Sequence, residues 1–401
     1  MRVLLSTIGS RGEAQPVVAL ALQLMEMGHD AVVCAPPDFQ GWAESLGITY
    51  VPVGPELRAT GKRGADATIT PAQARQLVEG TVAAQFDAVG AAAAGCDVVV
   101  GGGALAIAAG SIAEHRGARY AYVSFCPITL PSAHHPPPVH SVLGQRPADG
   151  TDNDVRWAQD ARFWTATWAD ALNTQREAIG LAPVADVRSH IFTGTPLLAA
   201  DPTLAPWPEA DDLRVTQTGA WLLPDATPLP PELAAFVDAG EPPVYFGFGS
   251  VRAPAGITAS MIATARALGR RAIVSRGWAD LALVDDQPDC IAIGEVNQQA
   301  LFPRVAAAVH HGGAGTTTAA TRAGVSQVIV PQNYDQFYFA QRVAELGIGS
   351  AHAAGEATAG SLLAALGDAL RPDVVTAART VATKVVTDGT AVAVRHLLDS
   401  G

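Results

Sequence analysis

The run HHGGAGTTT at residues 310–318 has the composition of a phosphate-binding loop. It follows the apolar segment VAAAV, which predicts a buried strand, and leads into a helix that we expect to begin near Thr317. Its three glycines allow the backbone to turn tightly and approach a ligand closely. Thr316 and Thr317 can cap the helix, whose N-terminus attracts phosphate, and His311 can donate a hydrogen bond to a phosphate oxygen. A tight turn with an ordinary cap has the same composition, so this run alone leaves both interpretations open.

Two further glycine turns favour the phosphate interpretation. FGFGS places Gly249 and Ser250 after a predicted strand, where successive backbone N–H groups can form a nest for an oxyanion. GSRGE, at residues 9–13, follows the first predicted strand and brings the charge of Arg11 and the carboxylate of Glu13 to its carboxyl end. Together the three turns suggest a diphosphate bound in a cleft, with a titratable group facing it.

The elements around these turns alternate between short β-branched runs and helical patterns, which predicts parallel sheets with right-handed crossovers. We therefore expect two doubly wound, Rossmann-like α/β domains that face each other across a cleft, with ligands beyond the carboxyl ends of the strands. The predicted strands are residues 2–7, 31–35, 48–53, 97–102 and 120–125 in the first half, and 243–250, 271–278, 290–296, 305–311 and 326–332 in the second.

The length of 401 residues also favours two domains over a single core. We place an N-terminal domain at residues 1–205, a Pro- and Gly-rich linker region at 206–242, and a C-terminal domain at 243–385. Residues 386–401 predict a helix that packs back on the N-terminal domain.

Composition excludes several classes of protein. The net charge of −12 and the absence of a long Lys/Arg run argue against a nucleic-acid partner. The four cysteines lie far apart without metal-ligand spacing, which favours reduced, buried thiols. The chain shows no secretory signal and its apolar runs are interrupted by glycine, so we expect a cytoplasmic protein without stable membrane insertion.

Six motifs, taken together, are similar to those of one enzyme family: MRVLLSTIGSRGE, VTQTGAWLLPD, VYFGFGS, SRGWADL, GEVNQQALF and HHGGAGTTTAATRAGV. Over essentially the whole chain the sequence resembles the inverting GT-B glycosyltransferases of antibiotic biosynthesis, in particular the glycopeptide-antibiotic (vancomycin-type) branch. The resemblance implies transfer of a sugar, preferably a deoxysugar, from a TDP- or UDP-sugar to a hydroxyl of an antibiotic aglycone. It also implies that the N-terminal domain binds the acceptor and the C-terminal domain binds the nucleotide-sugar.

The resemblance further implies roles for individual residues. The pyrophosphate would contact the HxGxGT loop and a serine, Trp278 would stack on the base, and the backbone of Val296 would contact the pyrimidine. An acidic–Gln pair would touch the sugar hydroxyls, and the first glycine turn would approach the donor from the acceptor domain. The expected donor-binding residues are Ser10, Arg11, Gly12, Ser250, Trp278, Val296, His311, Gly313, Gly315, Thr316, Asp335 and Gln336.

Glu13 is the expected catalytic base, which takes the proton of the acceptor hydroxyl as the diphosphate departs from the opposite face. The antibiotic branch commonly carries aspartate at this position, so glutamate moves the carboxylate by about a bond length. Helix dipole, backbone amides, His311 and Thr316 can neutralise the leaving group, so we expect neither a cofactor nor a metal. The acidic run at residues 152–154 and the histidines at 134, 135 and 140 are more typical of solvated loops than of a metal site.

Other interpretations remain open at several residues. Trp278 could be a packed core aromatic, His310 a hydrogen-bonded residue at a strand end, and Asp335 with Gln336 the cap of a following helix. A nucleotide-sugar 2-epimerase of the same fold, or a non-catalytic helper of another glycosyltransferase, are the alternative functions. Residues 58–75 and 131–154 are irregular segments that could shape the acceptor pocket, but neither their composition nor any other pattern identifies the aglycone or the oligomeric state.

Overall fold

The computed structural model describes residues 1–58, 70–139, 144–208, 213–251, 253–254, 256–353 and 357–399. The strands in these ranges form a seven-stranded and a six-stranded sheet, and every pairing between neighbouring strands is parallel. Two doubly wound α/β domains, predicted from the strand–helix alternation, are therefore confirmed. None of the helices in the described ranges has both the length and the apolar character needed to cross a bilayer.

The first sheet has the strand order β3-β2-β1-β4-β5-β6-β7. Side chains of its central strand alternate between two apolar clusters, Leu4 in one and Val3 and Leu5 in the other, so both faces of the sheet are covered by helices. Its strands are β1 (Arg2–Thr7), β2 (Asp30–Ala35), β3 (Thr49–Pro52), β4 (Val98–Gly102), β5 (Arg119–Ser124), β6 (Leu197–Leu198) and β7 (Thr216–Gln217). Its helices are α1 (Arg11–Glu26), α2 (Gln40–Ser45), α3 (Pro71–Ala92), α4 (Ala109–Arg116), α5 (Asn153–Ala178) and α6 (Val187–Phe192).

The second sheet has the order β10-β9-β8-β11-β12-β13 and is likewise covered on both faces, because Phe246 and Tyr245 of its central strand lie in different apolar clusters. Its strands are β8 (Val244–Gly247), β9 (Ala272–Ser275), β10 (Cys290–Ile293), β11 (Ala307–His310), β12 (Gln327–Ile329) and β13 (Gly349–Ala351). Its helices are α7 (Pro231–Asp238), α8 (Ile257–Ala267), α9 (Gln298–Leu301), α10 (Ala314–Arg322), α11 (Gln336–Glu345), α12 (Ala359–Ala369) and α13 (Pro372–Ala382), followed by the terminal helix α14 (Gly389–Asp399).

Three short strands, β6, β7 and β13, are absent from the sequence-based assignment, which wrongly ended the second sheet at β12. They contain only two or three residues, too few for a hydrophobic alternation to show in the sequence. The region assigned to the linker also contains β7 and α7, and only residues 218–230 between them lack regular structure.

The chain passes between the domains twice, and partly buried hydrogen bonds connect the end of the first domain to the second passage and to α11. Asp201 accepts a hydrogen bond from the backbone N–H of Val386 at 2.7 Å, and Arg342 of α11 donates to the carbonyl of Leu204 at 3.0 Å. The terminal helix α14 packs against α1 of the first domain, where the Thr390 hydroxyl donates to the Gln23 side chain. These contacts keep the carboxyl edges of the two sheets opposite each other.

Candidate functional site

The HHGGAGTTT run connects β11 to α10, and helix α10 begins earlier than we expected. Gly313 is the N-cap, and the first helical residue is Ala314 instead of a residue near Thr317. No side chain caps the helix; Thr317 instead donates its hydroxyl back to the Gly313 carbonyl at 2.9 Å. Our prediction of a threonine cap was therefore wrong, because the small residues of the run adopt helical geometry themselves. Gly315 and Thr316 consequently lie in the first turn, whose backbone N–H groups have no acceptor within the helix.

His311 lies between two glycine turns of the second domain. A Cβ atom placed on Gly313 would fall 2.5 Å from its Nε2, and one placed on Gly249 would fall 3.1 Å from its Cε1. The side chain is buried, and its Nδ1 makes no hydrogen bond of regular geometry among the described residues, although the ring interacts weakly with the backbone of Gly247. Burial lowers the pKa of His311 to about 3, so the ring is neutral at physiological pH. A buried nitrogen without a regular hydrogen bond is costly, and a ligand oxygen at this position would satisfy it.

Trp278 belongs to a loop that docks directly on the FGFGS turn. The Trp278 N–H donates to the Gly249 carbonyl at 2.8 Å, and Ser250 follows in the same turn, partly exposed. Gly277 has a φ of +54°, and a Cβ added there would overlap the Gly249 carbonyl oxygen. The expected base-stacking residue and the expected phosphate turn are thus connected through the backbone.

Replacing Gly277 by alanine should weaken the binding of a nucleoside diphosphate by about tenfold or more, because two loops of the site must separate to admit the methyl group. Gly269→Ala is the matched control, since Gly269 has a similar φ of +64° but open space around its Cα. Both variants carry the cost of a left-handed alanine, so the melting temperature of the Gly269 variant measures that cost without the overlap. If calorimetry gives equal nucleotide affinity for the two variants, the overlap at residue 277 does not affect nucleotide binding.

The indole of Trp278 is only 8 % exposed, because it packs against Phe39 of the first domain. The two ring centroids are 6.2 Å apart, with an interplanar angle of 20°. Beside this pair, Arg11 forms a 2.5 Å ion pair with Glu295 and lies 4.5 Å from the ring centre of Trp42. Two interdomain contacts therefore close this end of the cleft.

Val296 and its neighbours form the turn after β10. Val296 is partly buried against the apolar cluster that includes Leu301 and Phe302. The next residue, Asn297, caps α9 and donates its amide to the carbonyls of Asp225 and Thr227 in the linker. Sequence reasoning did not assign a role to Asn297, although its place in the GEVNQQ motif is the signal that could have done so.

The last three residues of GSRGE are helical, which corrects our assignment of the whole segment to a glycine turn. Helix α1 begins at Arg11, with Ser10 as N-cap, and places Gly12 and Glu13 in its first turn. Pro16 is the sixth residue of the helix, so it removes the hydrogen bond that another residue would donate to the Gly12 carbonyl. The helical geometry matters because it directs the Glu13 side chain back toward the helix N-terminus.

Glu13 is held by the residues that precede it. The Ser10 hydroxyl donates to its carboxylate at 3.0 Å, and a Cβ atom on Gly9 would lie 2.6 Å from its Cδ. Burial raises the pKa of Glu13, and the Ser10 hydrogen bond opposes that shift. A carboxylate with a raised pKa, fixed by hydrogen bonds at the start of its helix, has the properties of a general base.

Asp335 ends the turn between β12 and α11, and Gln336 is the first residue of α11. Burial, together with the charge of Glu13, raises the pKa of Asp335 to about 7, so the structure brings these two carboxyl groups from opposite domains into one site. Asp335 occupies the N-cap position of α11 without a side-chain cap hydrogen bond. Gln336 instead fixes its own turn, since its amide oxygen accepts from the Gln332 N–H at 2.7 Å. Sequence reasoning missed the preceding residue, Tyr334, which has a φ of +53° and whose pKa is raised by burial and, among nearby charges, by Glu13.

The acidic and histidine residues considered as metal ligands in the sequence make other contacts in the structure. Asp152 caps α5 by accepting from the Asp154 N–H at 2.9 Å, and His135 packs against the rings of Trp157 and Trp207. His140 lies outside the described residues. Within the described ranges, no three His, Cys, Asp or Glu side chains gather in an arrangement that could hold a metal ion.

A small cavity of about 40 Å³ lies between the two domains, at the starts of α1 and α10. Its walls include Gly12 of α1 and Pro16 from the first domain, and Ala314, Gly315 and Thr318 of α10 from the second. The structure therefore brings the first turns of α1 and α10 together. It places Ser250, Trp278 and Val296 after β8, β9 and β10, at the carboxyl edge of the same sheet.

Comparison with known proteins agrees with this arrangement. Residues 3–133 match the glycosyltransferase family 28 N-terminal domain, and residues 259–394 match the C-terminal domain of erythromycin biosynthesis protein CIII-like proteins. Vancomycin aglycone glucosyltransferase of Amycolatopsis orientalis is 50 % identical over 100 % of this chain and 98 % of its own length. The dTDP-epi-vancosaminyltransferase of the same organism is 44 % identical over 95 % of this chain and 93 % of its own length.

The fold has solved counterparts as well. The crystal structure of the glycotransferase of kitacinnamycin superposes with a TM-score of 0.72 at 20 % identity, covering 100 % of this chain and 98 % of that one. At this identity the likeness concerns the fold alone, whereas the sequence relatives establish the family. The chain therefore belongs to the glycosyltransferase family that includes the vancomycin aglycone glucosyltransferase, and it is a nucleotide-sugar-dependent enzyme with the GT-B fold.

Proposed function

We propose that this enzyme transfers a sugar, preferably a deoxysugar, from a TDP- or UDP-sugar to a hydroxyl of a glycopeptide-antibiotic aglycone, with inversion and without a metal. The observation that carries the proposal is the buried ring of His311, whose Nε2 lies against Gly313 at the start of α10 and whose Nδ1 makes no hydrogen bond of regular geometry among the described residues. A diphosphate oxygen would satisfy this nitrogen and the free N–H groups of the helix at the same time. The names of the relatives support a glycopeptide aglycone as acceptor and a TDP-sugar as donor.

The donor would bind with its diphosphate at the start of α10. His311, Gly313, Gly315 and Thr316 would surround one phosphate, and Ser250 would contact the other. Because His311 is neutral, its contribution is a directed hydrogen bond instead of a charge, and the helix dipole supplies the electrostatic attraction. The nucleobase would then lie toward Trp278 and Val296, where Phe39 now packs on the indole. Binding of a base there requires the Phe39 contact to open.

Transfer needs a base on one side of the sugar and a stabilised leaving group on the other. Glu13 belongs to the first domain and the diphosphate loop to the second, so they face the anomeric carbon from opposite directions. The Glu13 carboxylate would take the acceptor proton as the hydroxyl oxygen bonds to the anomeric carbon and the bond to the diphosphate breaks. Attack opposite the leaving group inverts the configuration. The amides of α10 would stabilise the charge that develops on the departing diphosphate.

The test is an assay of nucleoside diphosphate release from TDP- and UDP-sugars, including glucose and a deoxysugar donor, with product mass measured in parallel. We expect release only when a glycopeptide aglycone is added, an aglycone mass increased by one sugar, and rates unchanged by EDTA. Diphosphate release or sugar isomerisation without an acceptor would favour the 2-epimerase. Absence of turnover with every acceptor would favour the helper function, and a loss on EDTA that a divalent ion restores would contradict metal independence.

A further inference from the structure

A continuous series of buried hydrogen bonds runs beneath the loop that connects β11 to α10. The Gly312 N–H donates to Nδ1 of His310 at 3.1 Å, and Nε2 of His310 lies 2.9 Å from the side-chain oxygen of Gln327. The Gln327 amide donates to the Thr321 hydroxyl at 2.9 Å, and that hydroxyl donates to the Thr317 carbonyl at 2.8 Å. Thr317 in turn donates its own hydroxyl to the Gly313 carbonyl. The series, which we call the loop brace, thus begins and ends at adjacent residues of the loop.

The donor and the acceptor of every hydrogen bond in the loop brace can be assigned without conflict. Because Nδ1 of His310 accepts from a backbone N–H, its proton must lie on Nε2, which then donates to the oxygen of Gln327. That orients the Gln327 amide so that its nitrogen faces Thr321, whose single hydroxyl proton is left for the Thr317 carbonyl. Each donor and each acceptor in the loop brace is therefore assigned to a single partner. A network of this kind holds one arrangement, since rotating any member leaves a buried group without a partner.

Burial makes the loop brace costly to break. His310 and Gln327 are completely buried, Thr321 is 1 % exposed, and none of the three faces the cavity between the domains. The loop itself has little room to move. A Cβ atom on Gly312 would lie 2.5 Å from the Ile329 side chain and 3.1 Å from the Gln336 carbonyl. The backbone at residue 312 is therefore held by packing on one side and by His310 on the other.

We propose that His310, Gln327 and Thr321 are positioning residues that hold the backbone of the loop, and with it the His311 side chain, in the geometry that binds the diphosphate. This rests on the proposed function, because it assigns to the loop a diphosphate ligand. Gly312 and Gly313 directly follow His311, so a rotation of either peptide moves the N–H groups at the start of α10. Groups that never touch the donor would thereby determine its affinity.

The experiment compares three single variants with the wild-type enzyme. Thr321→Val keeps the shape of the side chain but removes the hydroxyl, which breaks the loop brace, whereas Thr321→Ser keeps the hydroxyl. Thr264→Val is the control for stability alone, since Thr264 is also 1 % exposed in a helix of the same domain and donates to the Ala359 carbonyl at 3.1 Å. Each protein is titrated with TDP by calorimetry, and its melting temperature is recorded.

We expect Thr321→Val to bind TDP about tenfold or more weakly, Thr321→Ser to bind within about twofold of wild type, and Thr264→Val to lose melting temperature but not affinity. If Thr321→Val does not fold, Gln327→Met interrupts the same series one link earlier and is compared in the same way. Equal TDP affinity in the Thr321→Val and Thr264→Val variants would overturn the proposal. If the wild type itself binds no nucleoside diphosphate, the proposed function fails first.

Discussion

Replacing Glu13 by glutamine should lower kcat by about 10²- to 10⁴-fold, the range expected for loss of a general base, while the affinity for TDP stays close to that of the wild type. Glutamine keeps the size of the side chain and can still accept from the Ser10 hydroxyl, but it cannot take a proton. The loss should therefore appear in the chemical step and not in donor binding. Steady-state kinetics with saturating donor, together with a TDP titration, separates the two effects.

The pH profile gives a second check on Glu13. Because burial raises its pKa, the carboxylate becomes protonated at a higher pH than an exposed glutamate, and kcat/KM should fall as the pH drops through that raised value. Asp335, with a pKa of about 7, titrates in the same site and adds a second inflection that Asp335→Asn should remove. Glu13→Asp, which keeps a base but shortens its reach, should retain more activity than Glu13→Gln. Equal activity of the glutamine variant and the wild type would exclude Glu13 as the base.

Replacing His311 by leucine should weaken TDP binding by about 10- to 100-fold, the loss expected when a hydrogen bond to a charged group is removed. The matched variant is His311→Asn, whose amide nitrogen can occupy a position similar to Nδ1 and donate to the same phosphate oxygen. We expect it to bind TDP within about fivefold of the wild type, since most of that hydrogen bond is retained. Leucine is similar in bulk to imidazole, so packing between Gly249 and Gly313 is largely kept.

Calorimetric titration of both His311 variants with TDP provides the measurement, and the melting temperature reports any loss of folding. A leucine variant that binds TDP as tightly as the wild type would mean that Nδ1 has no phosphate to contact. An asparagine variant as weak as the leucine variant would mean that the ring contributes by packing alone.

The positions of the glycine turns were predictable because each follows a β-branched run, and the carboxyl ends of parallel strands collect at one edge of a sheet. The first residues of α1 and α10 were not predictable. Glycine-rich segments favour turns by composition, yet here they start helices at Arg11 and Ala314. That difference decides which groups face the ligand: the side chains of Glu13 and Thr316 lie in first helical turns.

Contacts between the domains lay beyond sequence reasoning. The Phe39–Trp278 pair and the Arg11–Glu295 ion pair join residues more than two hundred positions apart, and no local pattern signals such a pairing. His310 could be interpreted as a hydrogen-bonded residue at a strand end, and the structure confirms that interpretation. Its partner Gln327, at the start of a three-residue strand, has no sequence signal at all.

A crystal structure of the enzyme with TDP would locate the diphosphate. We expect the two phosphates at the N-terminus of α10, with one phosphate oxygen within hydrogen-bond distance of Nδ1 of His311 and the thymine beside Trp278. Glu13 should face the bound diphosphate from the first domain. Phosphates bound elsewhere, or an Nδ1 that remains without a ligand while TDP occupies the protein, would contradict the proposed diphosphate site.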